Sequence, residues 1–215
     1  MRLVCLSDTH MKHWGVPRMP EGDVLIHAGD SLGCGNLAEL EIFVDWFSKY
    51  DHPHKILIAG NHDWVFERQP KVARKVVEEA GVIYLNDDGV TIDGVKFWGS
   101  PVQPEFCDWA FNRKRGEEID RHWQLIPDDT DVLITHGPPH GLLDKTEMTE
   151  VSVGCEDLRR HVLQRVKPMV HIFGHIHSAA GIRRKNGIKF INASQLDDYY
   201  SNPDGYRPLV FEVEK

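Results

Sequence analysis

The sequence predicts a mixed α/β fold of sandwich type, and three observations carry that expectation. Short apolar runs of strand type recur along the chain, several of them apolar throughout, as strands covered on both faces are. Helical patterns separate the early runs. The late runs succeed one another with little between them, which points to a cluster of strands. The chain has 215 residues, 41% apolar and 27% charged, an ordinary globular composition that predicts one domain over residues 1–215.

Taken in order, the strand-type runs are LVCLS (3–7), DVLIHAG (23–29), KILIAG (55–60), GVIYL (81–85), VKFWG (95–99), DVLIT (131–135), MVHIFG (169–174), IKFINA (188–193) and PLVFEV (208–213). Residues 36–50 predict a helix: Asn36 is an N-cap residue, and Leu37, Leu40, Phe43, Val44 and Phe47 fall on one face. A second helix begins at Pro70, a first-turn residue, and runs through 70–80; a third covers 155–166. Asn186-Gly187 stands between two strand-like runs and predicts a hairpin turn of type I′. Residues 101–124 read as a long insert rich in aromatics (Phe106, Trp109, Phe111, Trp123). Such rings either stack on a nucleobase or pin the loop to the body.

The net charge of −8 argues against a protein that coats extended nucleic acid. No apolar run approaches the ~20 residues of a membrane span. The first apolar run is too short for a signal peptide, and the four cysteines (Cys5, Cys34, Cys107, Cys155) are widely spaced, which fits free thiols in a reducing compartment. A cytoplasmic location is the expectation.

The chemistry lies just past the apolar runs. After LVCLS come Asp8 and His10; after VLIHAG comes Asp30; after ILIAG come Asn61, His62 and Asp63. After VLIT comes His136, and after VHIFG come His175 and His177. Each segment alone is ordinary: an Asp cap, a strand-to-turn ending, an Asn-rich turn. Five strand ends carrying ligand-type side chains, four of them beside a glycine, is not ordinary, because sites in α/β sheets form at the carboxyl ends of strands. One zinc needs about four ligands. Asp8, His10, Asp30, Asn61, His136, His175 and His177 make seven, which with one bridging carboxylate fits two metals, a known hydrolytic device for phosphoesters. The O/N donor set suits manganese, iron, cobalt, nickel or zinc and does not choose among them; manganese is the first expectation.

The succession D-x-H, G-D, G-N-H-D, a later H, then G-H-x-H over residues 8–177 resembles the calcineurin-like metallophosphoesterases. The wording MPEGDVLIHAGD, GSPVQPEF, WAFNRKRG, DVLITHGPPHGLLD and HIFGHIH is similar to the metallophosphoesterase-domain-containing group that includes brain-expressed animal proteins. The resemblance implies a double β-sandwich of two mixed sheets flanked by helices. It implies that Asp8, His10, Asp30 and His177 hold one metal, and that Asp30, Asn61, His136 and His175 hold the other, with Asp30 bridging. His62 would not ligate but would face the leaving group.

The expected function is a phosphodiesterase acting on small phosphoesters, such as cyclic nucleotides, by attack of a metal-bridging hydroxide. His62 is the expected general acid, with Asp63 to orient it. Asn61, Trp109 and Arg115 are expected at the substrate. The motifs themselves contain no Arg or Lys, which favours a monoanionic diester over a dianionic monoester unless Arg115 folds over the site. A nuclease or phosphomonoesterase on the same scaffold is the alternative, and a binding module without catalysis is a more distant one. His13, His52, His54, His122 and His161 read as surface histidines.

Overall fold

The protein is described by a computed structural model covering residues 1–16, 18–147, 151–202 and 205–214. Its strands are β1 (Arg2–Leu6), β2 (Val24–Ala28), β3 (His54–Ile58), β4 (Ile83–Tyr84), β5 (Asp88–Ile92), β6 (Val95–Ser100), β7 (Gln103–Pro104), β8 (Asn112–Arg113), β9 (Val132–Thr135), β10 (Val170–Phe173), β11 (Gly181–Lys185), β12 (Ile188–Asn192) and β13 (Leu209–Glu212). Its helices are α1 (Leu37–Ser48), α2 (Trp64–Arg68), α3 (Pro70–Glu79), α4 (Glu117–Gln124) and α5 (Glu156–Arg160), the last continuing as a wider turn over His161–Val166.

Two sheets result. One has the order β13-β1-β2-β3-β4, the other β11-β12-β10-β9-β6-β5. Both are mixed: β1, β2, β3 and β4 run parallel with β13 antiparallel at the edge, and β6, β9, β10 and β12 run parallel with β5 and β11 antiparallel outside them. The sheets pack face to face. Leu3, Cys5, Val24, Ile26, Ile56 and Ile58 of the first meet Phe97, Val132, Ile134, Val170, Ile172 and Ile191 of the second. The alternate residues point outward and are covered too. Val4, Leu6, Leu25 and Leu57 pack against Leu40, Phe43, Val44, Phe47 and Val77 of α1 and α3. Leu133, Phe173 and Phe190 pack against Ile119, Trp123 and Leu158 of α4 and α5. Helix, sheet, sheet and helix therefore form four layers, and strands covered on both faces are mostly apolar until they end. The exceptions are His27 of β2 and His171 of β10, which are buried and bonded to the hydroxyls of Thr9 and Thr135.

The local devices behave as their residues require. Asn36 Oδ1 accepts the Glu39 N–H at 3.0 Å and caps α1. Asn186 and Gly187 adopt φ of 51° and 81°, the left-handed pair that a type I′ turn needs between β11 and β12. The 101–124 segment, read from the sequence as a long aromatic insert, carries regular structure. It holds the short parallel β7–β8 pair and α4, and Trp123 is wholly buried in the core beneath the second sheet. α4 is charged on most of its surface and buries only Ile119 and Trp123, so it carries little apolar signal. His13 and His52 are buried rather than on the surface; His13 lies among Phe43, Trp46 and Trp14 under α1. His122 and His161 are hydrogen-bonded to the carboxylates of Asp87 and Asp120. No helix among the described residues is long and apolar enough to cross a membrane.

Candidate metal centre

The parallel strands of both sheets end at the same rim of the sandwich, and the polar residues just past β1, β2, β3, β9 and β10 meet there. Backbone and side-chain bonds hold the loops together, within the second sheet and across the two sheets. The Ser7 N–H donates to Ala193 O at 2.9 Å and the Gly174 N–H to His136 O at 2.9 Å. The Asp8 carboxylate accepts the His175 N–H at 3.0 Å and the Ser194 hydroxyl at 2.8 Å. Asp30 Oδ1 accepts the His62 N–H at 2.8 Å, which leaves its Oδ2 to face the imidazoles.

Two clusters result. Asp8, His10 and His177 place their donor atoms within 4.8 Å of one another, and Asp30, His136 and His175 do the same. Asp30 Oδ2 lies 3.4 Å from His136 Nε2 and 3.7 Å from His10 Nε2, between the clusters. Asn61 Oδ1 lies 2.9 Å from His136 Nε2. All seven residues expected as ligands are thus brought to one place. His62 brings a ring nitrogen within 4.8 Å of the donor atoms of His10 and Asp30 as well.

The backbone there is unusual. Asp8, His10, Asp30 and His175 have φ of 55°, 41°, 53° and 69°, a region costly for residues with a side chain and maintained only where the surroundings over-determine it. Two glycines make room. A Cβ on Gly60 would collide with Asp30 Oδ1 and approach His136 Cε1 to 2.6 Å; one on Gly174 would collide with Asp8 Oδ2.

The hydrogen-bond directions show what the centre is arranged to hold. His136 Nδ1 is 3.0 Å from Ala28 O, and His177 Nδ1 is 2.9 Å from Asp197 O. A carbonyl only accepts, so each Nδ1 carries the hydrogen and each neutral ring turns a bare Nε2 lone pair inward. His177 Nε2 then faces Asp8 Oδ1 at 3.3 Å, and His136 Nε2 faces both Asp30 Oδ2 and Asn61 Oδ1. Acceptors converging on acceptors repel unless a cation, or a proton, stands between them. Burial lowers the proton affinity of both rings, yet the Asp30 carboxylate beside His136 and the Asp8 carboxylate beside His177 raise each pKa to about 9, so without a metal a proton on each Nε2 takes the place that a cation would fill. Burial would raise Asp8, but His177 and the other imidazoles hold it well below the usual carboxylate range. Burial lowers His10 and His175 to about 4, so both remain neutral donors. Carboxylates that stay ionised, with imidazoles oriented through Nδ1, fit a divalent metal.

Three expectations about neighbouring residues are corrected. Asp63 does not orient His62. Its buried carboxylate accepts N–H groups from Gly60 at 2.7 Å, Leu32 at 2.9 Å and Ser31 at 3.4 Å, and the Ser31 hydroxyl at 3.3 Å. It ties the Asp30 turn to the Asn61 turn. The His62 ring is held instead by Gly33 O, which accepts its Nδ1–H at 3.1 Å, and by Trp109, stacked on it at 4.1 Å between centroids. Trp109 therefore offers that face to His62 and not to a base. Arg115 is turned to Glu156 and to the carbonyls of Gly154 and Val153, because that turn supplies a carboxylate and two acceptors. Cys34 is exposed.

Sequence reasoning missed Ser194 and Tyr200. Ser194 stands just past the end of β12, so the same rule that found the ligands would have found it. Tyr200 carries no such signal. Its hydroxyl is 3.4 Å from His62 Nε2, and its ring stands edge-on to His10 at 4.7 Å. A cleft of about 920 Å³ opens beside His177, with Ser178, Asn192, Ser194 and Asp197 among its walls.

Comparison with known proteins agrees with this geometry. The human metallophosphoesterase domain-containing protein 1 is 39% identical over 235 residues, covering 99% of this chain and 71% of that one. The protein UPF0046 K07C11.7 of Caenorhabditis elegans is 38% identical, covering 100% of this chain and 76% of that one. A solved structure described as a novel archaeal phosphodiesterase shares the fold with a TM-score of 0.51 at 16% identity, covering 98% of this chain and 100% of that one. The family profile for calcineurin-like phosphoesterases matches residues 1–179. The chain belongs to the calcineurin-like phosphoesterase family, whose members are metal-dependent hydrolases of phosphate esters.

Proposed function

We propose that the chain is a phosphodiesterase that uses two divalent cations, manganese first, to hydrolyse small phosphoesters such as cyclic nucleotides. The observation that carries this reading is the inward convergence of acceptors: carboxylate, amide and imidazole lone pairs from five strand ends, with the imidazole Nδ1–H groups of His136 and His177 directed outward. Asp8, His10, Asp30 and His177 would hold one cation, and Asp30, Asn61, His136 and His175 the other. When bound, the pair supplies charge neutralisation for the phosphate oxygens and acidifies water.

The chain's own residues do the rest. Asp30 lies between the clusters and fixes their separation. Asn61 presents a neutral oxygen. His62 keeps its Nδ1–H on Gly33 O and its face on Trp109, so its Nε2 is aimed in one direction. As an imidazolium it donates the Nε2 proton to the departing ester oxygen. The preference for a diester comes from charge. The motifs contain no Arg or Lys, and Arg115 faces Glu156. In the cleft, Lys145, Arg183 and Arg207 are outnumbered by Asp144, Glu147, Asp197 and Asp198. Among the described residues that line the cleft, cations do not outnumber carboxylates, which leaves the extra charge of a monoester dianion without a matching surplus. A small soluble ester in the cytoplasm is the proposed partner.

The test loads the metal-free protein with manganese, measures the ions bound, and compares kcat/KM for bis- and mono-nitrophenyl phosphate. Two ions per chain and faster diester hydrolysis are expected. One ion at saturation defeats the dinuclear reading, and monoester hydrolysis tenfold faster defeats the diester preference.

A further inference from the structure

We propose that Tyr200 is a catalytic residue, donating a hydrogen bond from its hydroxyl to the leaving oxygen beside His62; this rests on the phosphodiester reaction proposed above. Of the two His62 nitrogens, Nδ1 is held by Gly33 O, and Nε2 meets the Tyr200 hydroxyl at 3.4 Å. An ester oxygen that takes the Nε2 proton must therefore stand next to that hydroxyl. The ring is set against the centre itself, edge-on to His10 at 4.7 Å and to His177 at 5.5 Å.

The turn that carries Tyr200 is built to keep it there. The Asp197 carboxylate accepts the N–H of Tyr199 at 2.9 Å, the N–H of Ser201 at 2.8 Å and the Ser201 hydroxyl at 2.6 Å. The Asp197 carbonyl accepts Nδ1–H of His177, so one residue fixes both the turn and an expected metal ligand. Lys12 Nζ donates to the Tyr200 carbonyl. Tyr200 has φ of 56°, a strained value for a bulky residue that the surrounding bonds must sustain. Such a conformation is understandable where a side chain has to reach one point.

In the step, the oxygen of water bonds to phosphorus and its proton passes to solvent. The bond from phosphorus to the leaving oxygen breaks, and the electron pair stays with that oxygen. The oxygen takes the Nε2 proton of His62, which is regained from solvent. The Tyr200 hydroxyl donates a hydrogen bond throughout without ionising, and stabilises charge that develops only as the bond breaks.

Tyr200→Phe keeps the ring against His10 and His177 and removes the hydroxyl alone. The experiment measures kcat and KM, with manganese saturating, for bis-nitrophenyl phosphate and for a cyclic nucleotide, whose alkoxide is a far poorer leaving group. For the cyclic nucleotide, kcat is expected to fall about 10-fold or more with KM unchanged. For the nitrophenyl diester both constants should stay within about twofold, since nitrophenolate needs little help. Equal losses on both substrates, or no loss on either, overturn the assignment, as does a rise in KM alone. A wild-type protein inert toward both substrates overturns the phosphodiesterase reading and this one with it; an active wild type with an unchanged Tyr200→Phe overturns only this one.

Discussion

Asp63→Asn separates a residue that orients the acid from one that ties the ligand turns together. The carboxylate is fully buried and takes four donors: the Leu32 N–H and Ser31 hydroxyl on Oδ1, the Gly60 N–H and Ser31 N–H on Oδ2. An amide of the same shape keeps one oxygen. If that oxygen stays on Gly60, the shortest bond at 2.7 Å, the new NH₂ points at the Leu32 N–H and the Ser31 hydroxyl. A hydroxyl can rotate away, but a backbone N–H cannot, so at least one buried donor is left unpaired and faces another. At about 1–3 kcal/mol for each unsatisfied group, the two opposed donors cost roughly 2–6 kcal/mol, a large part of the ~5–15 kcal/mol of a typical domain. Burial, and then the charge of Asp30, raise the Asp63 carboxyl to about 7, so urea unfolding belongs at pH 8, where it is ionised. The turns it joins carry Asp30 and Asn61, so manganese affinity is expected to fall about 10–100-fold, as for other groups that orient ligands. At saturating metal the rate should recover most of its value, with the same loss for good and poor leaving groups. A stability within about 0.5 kcal/mol of wild type, together with a rate loss confined to poor leaving groups, would refute this and return Asp63 to the role of orienting His62.

Two glycines and two histidines give further outcomes. Gly174→Ala puts a Cβ onto Asp8 Oδ2 and Ser7 Oγ, and should remove the ion of the Asp8 cluster while leaving the other. Gly60→Ala puts one onto Asp30, shared by both clusters, and should remove both; metal analysis reporting the reverse order would contradict the shared position of Asp30. Burial lowers His13 to about 4 and His171 to about 3, against about 6.5 for an unfolded imidazole. Between those values the unfolded chain binds protons that the native state refuses, so stability is full above about pH 6.5 and falls as pH drops toward 4. His13 alone contributes on the order of 3 kcal/mol to that fall. Both nitrogens of His13 are buried without a partner, so His13→Phe should flatten the acid limb of the unfolding profile and raise stability at pH 5. An unchanged limb would exclude His13 as its source.

The central strands were legible because they are covered on both faces and so carry nearly uninterrupted apolar runs, a signal written in a few consecutive residues. β5 was not legible: Asp88–Ile92 lies at a sheet edge and is mostly exposed. α4 escaped for the related reason that two buried residues, Ile119 and Trp123, are too few to set a period. The seven ligand-type residues could be read because each stands just past a strand end, and that too is local order. Which loops would meet was not local. The approach of Asp8 to His177 across 169 positions is set by the packing of two sheets, and so is the contact of Asp30 with His136. Sequence adjacency suggested that Asp63 serves His62, but the backbone turns between them and aims the carboxylate at Ser31, Leu32 and Gly60. Sequence placed Trp109 and Arg115 at the substrate, and only the folded loop shows the one stacked on His62 and the other turned to Glu156. Tyr200 reaches His62 from 138 positions away. The sequence by itself determined the kinds of donor and the strand ends that carry them. The tertiary structure decided their directions, because a hydrogen bond or a lone pair depends on angles that only long-range packing sets.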